Sequence, residues 1–281
     1  MRVLVTGAAG LLGSAVVAEL GGVYDVEAAD RSTLDITDAA AVERIVGRVR
    51  PDAIVNCAAY NDVDGAETDA VRALSVNAFG VLTLARIAGE AGSALVHYSS
   101  DFVFDGETTR PYREEDEPRP RSVYAASKLL GEWFAADAPR RYVLRVESLF
   151  GPAAAGARRG SLGAIVDHIR RGEVAPVFVD RTVSPSFTID VAAATRRLIA
   201  SDAPAGLYHC VNDGAATWRE VAEEAARLLG AELRIRPLTL GTASLKAARP
   251  RYCALSPARL ASVGIVMPAW EDALARYLRA V

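Results

Sequence analysis

The chain has few cysteines and few histidines, and it lacks the runs that mark several protein classes. Its three cysteines, Cys57, Cys210 and Cys253, are widely spaced and odd in number, so they form neither a paired metal motif nor an even disulfide framework. The expectation is a reducing, cytoplasmic setting. His97, His168 and His209 show no ligand spacing, and no protein metal site is expected. His97 and His209 sit inside apolar strand-like runs and read as packed, hydrogen-bonded residues. No apolar run approaches the roughly 20 residues that cross a bilayer, so no membrane partner is expected. A charged, then apolar, then small-residue leader is missing: Met1-Arg2 runs straight into the strand-like VLVTG. Repeats and low-complexity tails are also missing. Excess positive charge is missing too, and a net charge of -3 argues against a general nucleic-acid binder.

What is present is an apolar, unevenly charged chain. Hydrophobic residues make up 51% of its 281 positions, enough for a large core. Residues 1–148 carry 15 Lys/Arg against 23 Asp/Glu, whereas residues 149–281 carry 17 against 12. A basic second half suits an anionic small substrate and suits a solvated surface equally well.

The first half alternates two patterns. RVLVTG, DVEAAD, AIVNCAAY, ALVHYSS and YVLRVES read as strands that are continuously apolar, as parallel strands buried on both faces are. Residues 11–21, 39–49, 69–91 and 123–136 read as helices between them. The alternation predicts an α/β fold, a Rossmann-type doubly wound parallel sheet over residues 1–148. Residues 149–281 predict a smaller C-terminal α/β substrate domain, with part of 184–212 returning to the sheet. There GPAAAGARRGS reads as a loop, Leu162–Arg171 as a helix, APVFVD and GLYHCVN as strands and TVSPSFTID as extended chain before a helix near Asp190. Thr217 and Glu220 fit a capping box that opens a helix to Leu229, and 256–281 reads as mostly helical. REEDEP reads as a solvated loop, and Trp133 and Trp218 as core residues on helices.

VTGAAGLLG sets Gly7, Gly10 and Gly13 between the first strand and the first helix. Gly7 permits the tight turn, Gly10 a close approach to a pyrophosphate, and Gly13 close helix–sheet packing. The loop and helix start, from Ala9 through Leu11 and Leu12, then offer N–H groups to a dinucleotide. Asp30 ends the second strand and suits the ribose of NADH; Arg31 follows and suits the 2′-phosphate of NADPH. The small residues of NCAAY, Ala58 and Ala59, give a cofactor room to pass, with Tyr60 beside them.

Tyr124 and Lys128 in VYAASK are four residues apart on one helical face. A free phenol has a pKa of about 10. A nearby ammonium is expected to lower it and make Tyr124 a general acid. YSSDFVFDG ends a strand with two hydroxyls and a carboxylate before a turn at Asp105-Gly106. Either this is turn chemistry, or it holds a substrate oxygen.

The order Gly7 fingerprint, Asn77, Ser100, Tyr124, Lys128 resembles the tetrad of the short-chain dehydrogenase/reductase superfamily. The resemblance implies that Ser100 binds a substrate carbonyl, Tyr124 protonates it, Lys128 holds the nicotinamide ribose, and Asn77 supports a water relay. It places Asp35 and Ile36 at the adenine ring. In the 4,6-dehydratases of the superfamily an Asp-Glu pair follows the hydroxyl; here Phe102 follows Asp101, so the second carboxylate is missing and ketone reduction is favoured. PDAIVNCAAYNDVDGAE, HYSSDFVFDG, RPYREEDEPRPRSVYAASKLLGE, SPSFTIDVA, GLYHCVNDGAATW and RPRYCALS together resemble the dTDP-4-dehydrorhamnose reductase family over most of the chain. This implies NAD(P)H-dependent reduction of a 4-keto group on a nucleotide-linked deoxysugar. Asp101, Phe102 and Val183–Phe187 are then at the sugar pocket, and Arg249 and Arg251 suit the diphosphate, which Mg2+ could accompany. Ser148 or Leu149 stands where the family often has a tryptophan. A sugar-nucleotide epimerase, and a regulatory subunit like methionine adenosyltransferase beta, remain as alternatives; a homodimer is an open expectation.

Overall fold

In the computed structural model, residues 1–152 and 160–280 are described. Strands β1 (Arg2–Thr6), β2 (Asp25–Ala29), β3 (Ala53–Asn56), β4 (Ala94–Ser100) and β5 (Arg141–Val146) form a parallel sheet, and Gly206–His209 joins β5 as its sixth strand. The order is Gly206–His209, β5, β4, β3, β1, β2. The chain winds from β1 outward to β2, then returns to β3 on the other side. Adjacent crossovers therefore diverge at the C-terminal ends of β1 and β3, and a crevice opens there. Every residue of β4 is buried, because helices cover both sheet faces.

Helix α1 (Leu11–Gly21) follows β1, and α2 (Ala39–Val49) follows β2. Residues 70–90 form one helical stretch interrupted by a π turn at Ser75–Phe79. By length and composition this stretch could cross a membrane, contrary to the sequence expectation that no such run exists. Its apolar residues Val81, Leu84, Ala85 and Ala88 lie in the core under the sheet. Val123–Phe134 packs against the π turn.

The C-terminal half contributes to both regions. Helix Thr188–Ile199 packs on α1 and extends the core that covers one sheet face. A separate apolar cluster gathers Phe150, Leu162, Ile169, Trp218, Val221, Leu274 and Tyr277. Three short strand pairs brace it: Leu149–Phe150 with Ser186–Phe187, Thr182–Val183 with Ala216–Thr217, and Ala175–Phe178 with Ile235–Leu238. Thr217 caps helix Trp218–Leu229 through a capping box with Glu220.

Residues 256–280 are mostly helical, as the sequence implied, in two helices, Ala258–Ser262 and Trp270–Ala280, joined by irregular chain. Three other sequence expectations differ from the fold or lie beyond it. Trp133 is 62% exposed rather than core, whereas Trp218 is buried. REEDEP is partly tied down: Glu114 accepts from the His209 N–H at 2.7 Å, and Arg110 grips Asp116 with two hydrogen bonds. Most of GPAAAGARRGS lies outside the described residues, and its Gly160 and Ser161 belong to helix Gly160–Arg170.

Candidate active site

The crevice beside β1, β2 and β3 has a volume of about 540 Å³. Its walls include Gly7, Ala9, Gly10, Asp30, Arg31, Asp35, Ile36, Ala58, Ala59 and Tyr60. Leu11, Leu12 and Gly13 do not line it; Leu12 is a core residue. The turn is built tightly. Gly7 has φ +66°, and a Cβ there would meet Ala58 N at 2.5 Å. A Cβ on Gly13 would meet Gly7 O at 2.2 Å. α1 receives no side-chain cap at Gly10 and has no acidic residue in its first turn. Its first N–H groups and dipole thus fit a phosphate group at the crevice.

The rim residues are organised by local turns. Asp30 Oδ1 accepts from Ser32 N at 2.8 Å and from Ser32 Oγ at 2.6 Å, which holds its carboxyl below the usual range. Asp35 Oδ1 accepts from Thr37 N and Thr37 Oγ1, with the same effect on its pKa. Arg31 is exposed beside them.

Asn77 is buried on the π turn and clamps the loop after β3. Its Oδ1 accepts from Tyr60 N at 2.8 Å, and its Nδ2 donates to Tyr60 O and Ser127 Oγ, each at 3.0 Å. Its amide therefore serves helix–loop bonding.

At the end of β4, Ser100 caps a 3-10 turn, Asp101–Val103, by accepting from Phe102 N at 3.2 Å. It also donates to Asp101 Oδ1 at 2.9 Å. Strand-end turn chemistry and the hydroxyl's placement are thus one feature. Tyr124 stands beside the Ser100 hydroxyl and packs edge-on against Phe102, with ring centroids 5.6 Å apart. Lys128 is buried, and its Nζ donates to Tyr98 O at 2.6 Å. Burial pushes its pKa down to about 8, although the Glu132 carboxylate opposes this. The expected lowering of Tyr124 is not what the environment produces. Burial, then the Asp101 carboxylate, push the phenol up to about 12, with the nearby Ser100 hydroxyl opposing. The Lys128 ammonium is held on the Tyr98 carbonyl, and its charge acts on Cys57 at the crevice wall and on His97.

Sequence reasoning missed the residues behind Asp101. Glu147, just past β5, lies with its carboxylate close to Asp101, and Cys253 completes the group: one ligand-type atom of each falls within 4.8 Å of the others. Among the described residues this is the group whose spacing could suit a metal ion, but the Arg181 guanidinium donates to Cys253 Sγ at 3.0 Å. Burial, against the Arg181 charge, raises Asp101 to about 6. Burial and the Asp101 charge raise Glu147 well above the carboxylate range. The signal in the sequence was a lone acid closing an apolar strand, LRVE. Ser148 follows with φ +40° and donates to Glu147 Oε1.

The two arginines assigned to a diphosphate diverge. Arg249 pairs with Asp64 at 3.0 Å and lies 5.8 Å from the Phe102 ring. Arg251 is exposed and lines a different crevice with Gly106, Glu107 and Thr108. Arg181 also flanks Phe102, at 5.9 Å. Val183–Phe187 lies behind this group, and Ser184 N donates to Glu147 Oε2 at 2.6 Å.

The profile of a family described as "RmlD substrate binding domain" matches residues 1–281. The chain is 38% identical to a dTDP-4-dehydrorhamnose reductase of Streptomyces griseus, over 97% of this chain and 91% of that one. It is 37% identical to a dTDP-4-keto-6-deoxy-D-glucose reductase of Streptomyces niveus, over 90% of this chain and 88% of that one. Its fold superposes, with a TM-score of 0.94 and 31% identity, on the crystal structure of a dTDP-4-dehydrorhamnose reductase of Bacillus anthracis str. Ames in complex with NADP. That match covers 100% of this chain and 99% of the other.

Proposed function

The chain belongs to the RmlD substrate binding domain family, and from that membership we propose that it reduces the 4-keto group of a dTDP-linked deoxysugar with a nicotinamide dinucleotide. The observation that carries the reading is the meeting of Ser100, Tyr124 and Phe102 at the end of β4, with the buried Lys128 ammonium acting on Cys57, which lines the crevice.

A bound NADPH or NADH supplies the hydride. The α1 N-terminus and the Gly7–Gly10 turn would hold its pyrophosphate, and Asp30, Arg31, Asp35 and Ile36 its adenosine end. Ser100 donates a hydrogen bond to the ketone oxygen and lowers the cost of charge developing there. Tyr124 gives that oxygen its proton. A phenol with a raised pKa stays protonated at neutral pH, so it acts as the acid without an earlier proton uptake. Phe102 offers a ring to the sugar face. Glu147 has one oxygen on Ser148 and the other on Ser184 N, so it is not poised as a free base for elimination. We assign residues 1–148 chiefly to the dinucleotide and 149–281 chiefly to the substrate.

Tyr124→Phe tests the roles. Turnover of a dTDP-4-keto-6-deoxysugar should fall by about 10²–10⁴-fold while dinucleotide affinity stays near wild type. Undiminished turnover refutes the assignment.

A further inference from the structure

Two buried carboxyl groups and one half-buried guanidinium gather behind Ser100. Asp101 is 4% exposed and Glu147 2%. Asp101 Oδ1 accepts from Ser100, but its Oδ2 is buried without a hydrogen-bond partner and lies in the cluster with Glu147 and Cys253. Glu147 draws hydrogen bonds from Ser148 and Ser184 N, and Arg181 from its side reaches Cys253 Sγ and Pro250 O. Two ionised carboxylates beside one cation leave a net negative charge in a buried site. One retained proton makes the cluster neutral, and it gives the unpartnered Asp101 oxygen a bond to make. From the pair a hydrogen bond runs to Ser100, whose hydroxyl stands beside the Tyr124 phenol.

We propose that Asp101 and Glu147 hold one proton between them and return it through Ser100 to Tyr124 after each turnover. The inference rests on Tyr124 being the proton donor. Tyr124 loses its phenolic proton to the sugar oxygen. The phenolate then takes the Ser100 hydroxyl proton, and Ser100 takes the proton held by the pair. Two carboxylates remain beside Arg181, and solvent restores the proton once product has left. No electrons move along this path. It does not pass through Lys128, whose ammonium is held by Tyr98 O. The titratable groups facing the pair are Tyr124 from the helix, Arg181 from the segment before Thr182–Val183, and Cys253 from the 249–255 segment.

The test compares pH profiles of kcat for the full-length enzyme under saturating NADPH and keto-sugar, wild type against Glu147→Gln. In Glu147→Gln, Asp101 faces Arg181 alone and should lose its proton more easily. The alkaline limb of kcat should move to lower pH by about one unit or more. Glu147→Asp should move it back toward wild type. An unmoved limb overturns the relay. Infrared spectra of the wild-type protein give a check that needs no variant to fold: a neutral carboxylic-acid band should persist at neutral pH, and its absence overturns the shared proton. Wild-type enzyme that reduces no keto-sugar sinks the reductase reading, and the band can be sought all the same.

Discussion

A buried acid is a liability whose sign depends on pH. Asp101 is raised to about 6 in the folded protein, and Glu147 lies well above its ordinary value. Both therefore bind more protons folded than unfolded once pH exceeds about 4. Their stabilising contribution is complete in acid and is lost as pH climbs through the folded values. Glu147→Gln removes one of the two titrations. Its melting temperature relative to wild type should rise between pH 5 and pH 8 by roughly 2 °C or more, followed by differential scanning fluorimetry. A pH-independent difference contradicts the burial account. At this scale the sequence showed Tyr124 and Lys128 because one helical face joins them, and Ser100 through the resemblance carried by the order of the motifs. It hid Glu147, Arg181 and Cys253, because only the fold brings positions 101, 147, 181 and 253 together. It also misjudged the phenol, since Tyr124 and Lys128 share a helix while the ammonium is held on the Tyr98 carbonyl and burial and the Asp101 carboxylate act on the phenol.

Among the elements, the β1–α1 turn is the least forgiving. Gly13 sits where a Cβ would press on the Gly7 carbonyl, which is backbone and cannot turn aside. Gly13→Ala should cost about 1–3 kcal/mol of stability and loosen the phosphate-facing helix start. Denaturant unfolding and dinucleotide titration read the two effects; an alanine variant of wild-type stability and affinity would contradict the packing. Strands and helices were legible here, since Leu11–Gly21 and Ala39–Val49 are continuous patterns with clear ends. The π turn at Ser75–Phe79 was not: one extra residue in a turn leaves the apolar pattern readable as a plain helix, yet it positions Asn77. Trp133 was misread because apolar character alone does not choose a face. Gly131 faces the Asn77 carbonyl, where a Cβ would lie 2.2 Å away, so position 133, two residues on, points outward.

Across the whole molecule, Asp64 is among the residues that tie the two halves together. Asp64 accepts from Lys246 N and Ala247 N at 3.0 and 2.9 Å, and it pairs with Arg249. Asp64→Ala should free this segment. Limited proteolysis between Thr239 and Arg249 should speed up several-fold, and KM for the keto-sugar should rise more than kcat falls. Unchanged cleavage would show that the segment is held elsewhere. Sequence could place the sheet and its crevice, because alternating patterns dictate a doubly wound order. A clasp between positions 64 and 249 has no local signature. The central claim is that hydride goes to C4 of a dTDP-linked 4-ketosugar. Supplying NADPH deuterated at the nicotinamide C4, together with a panel of such sugars, tests it most directly. The account predicts deuterium on the product's C4, with one dinucleotide oxidised per sugar reduced. Cofactor left unoxidised across the panel, or label appearing at another carbon, would contradict it.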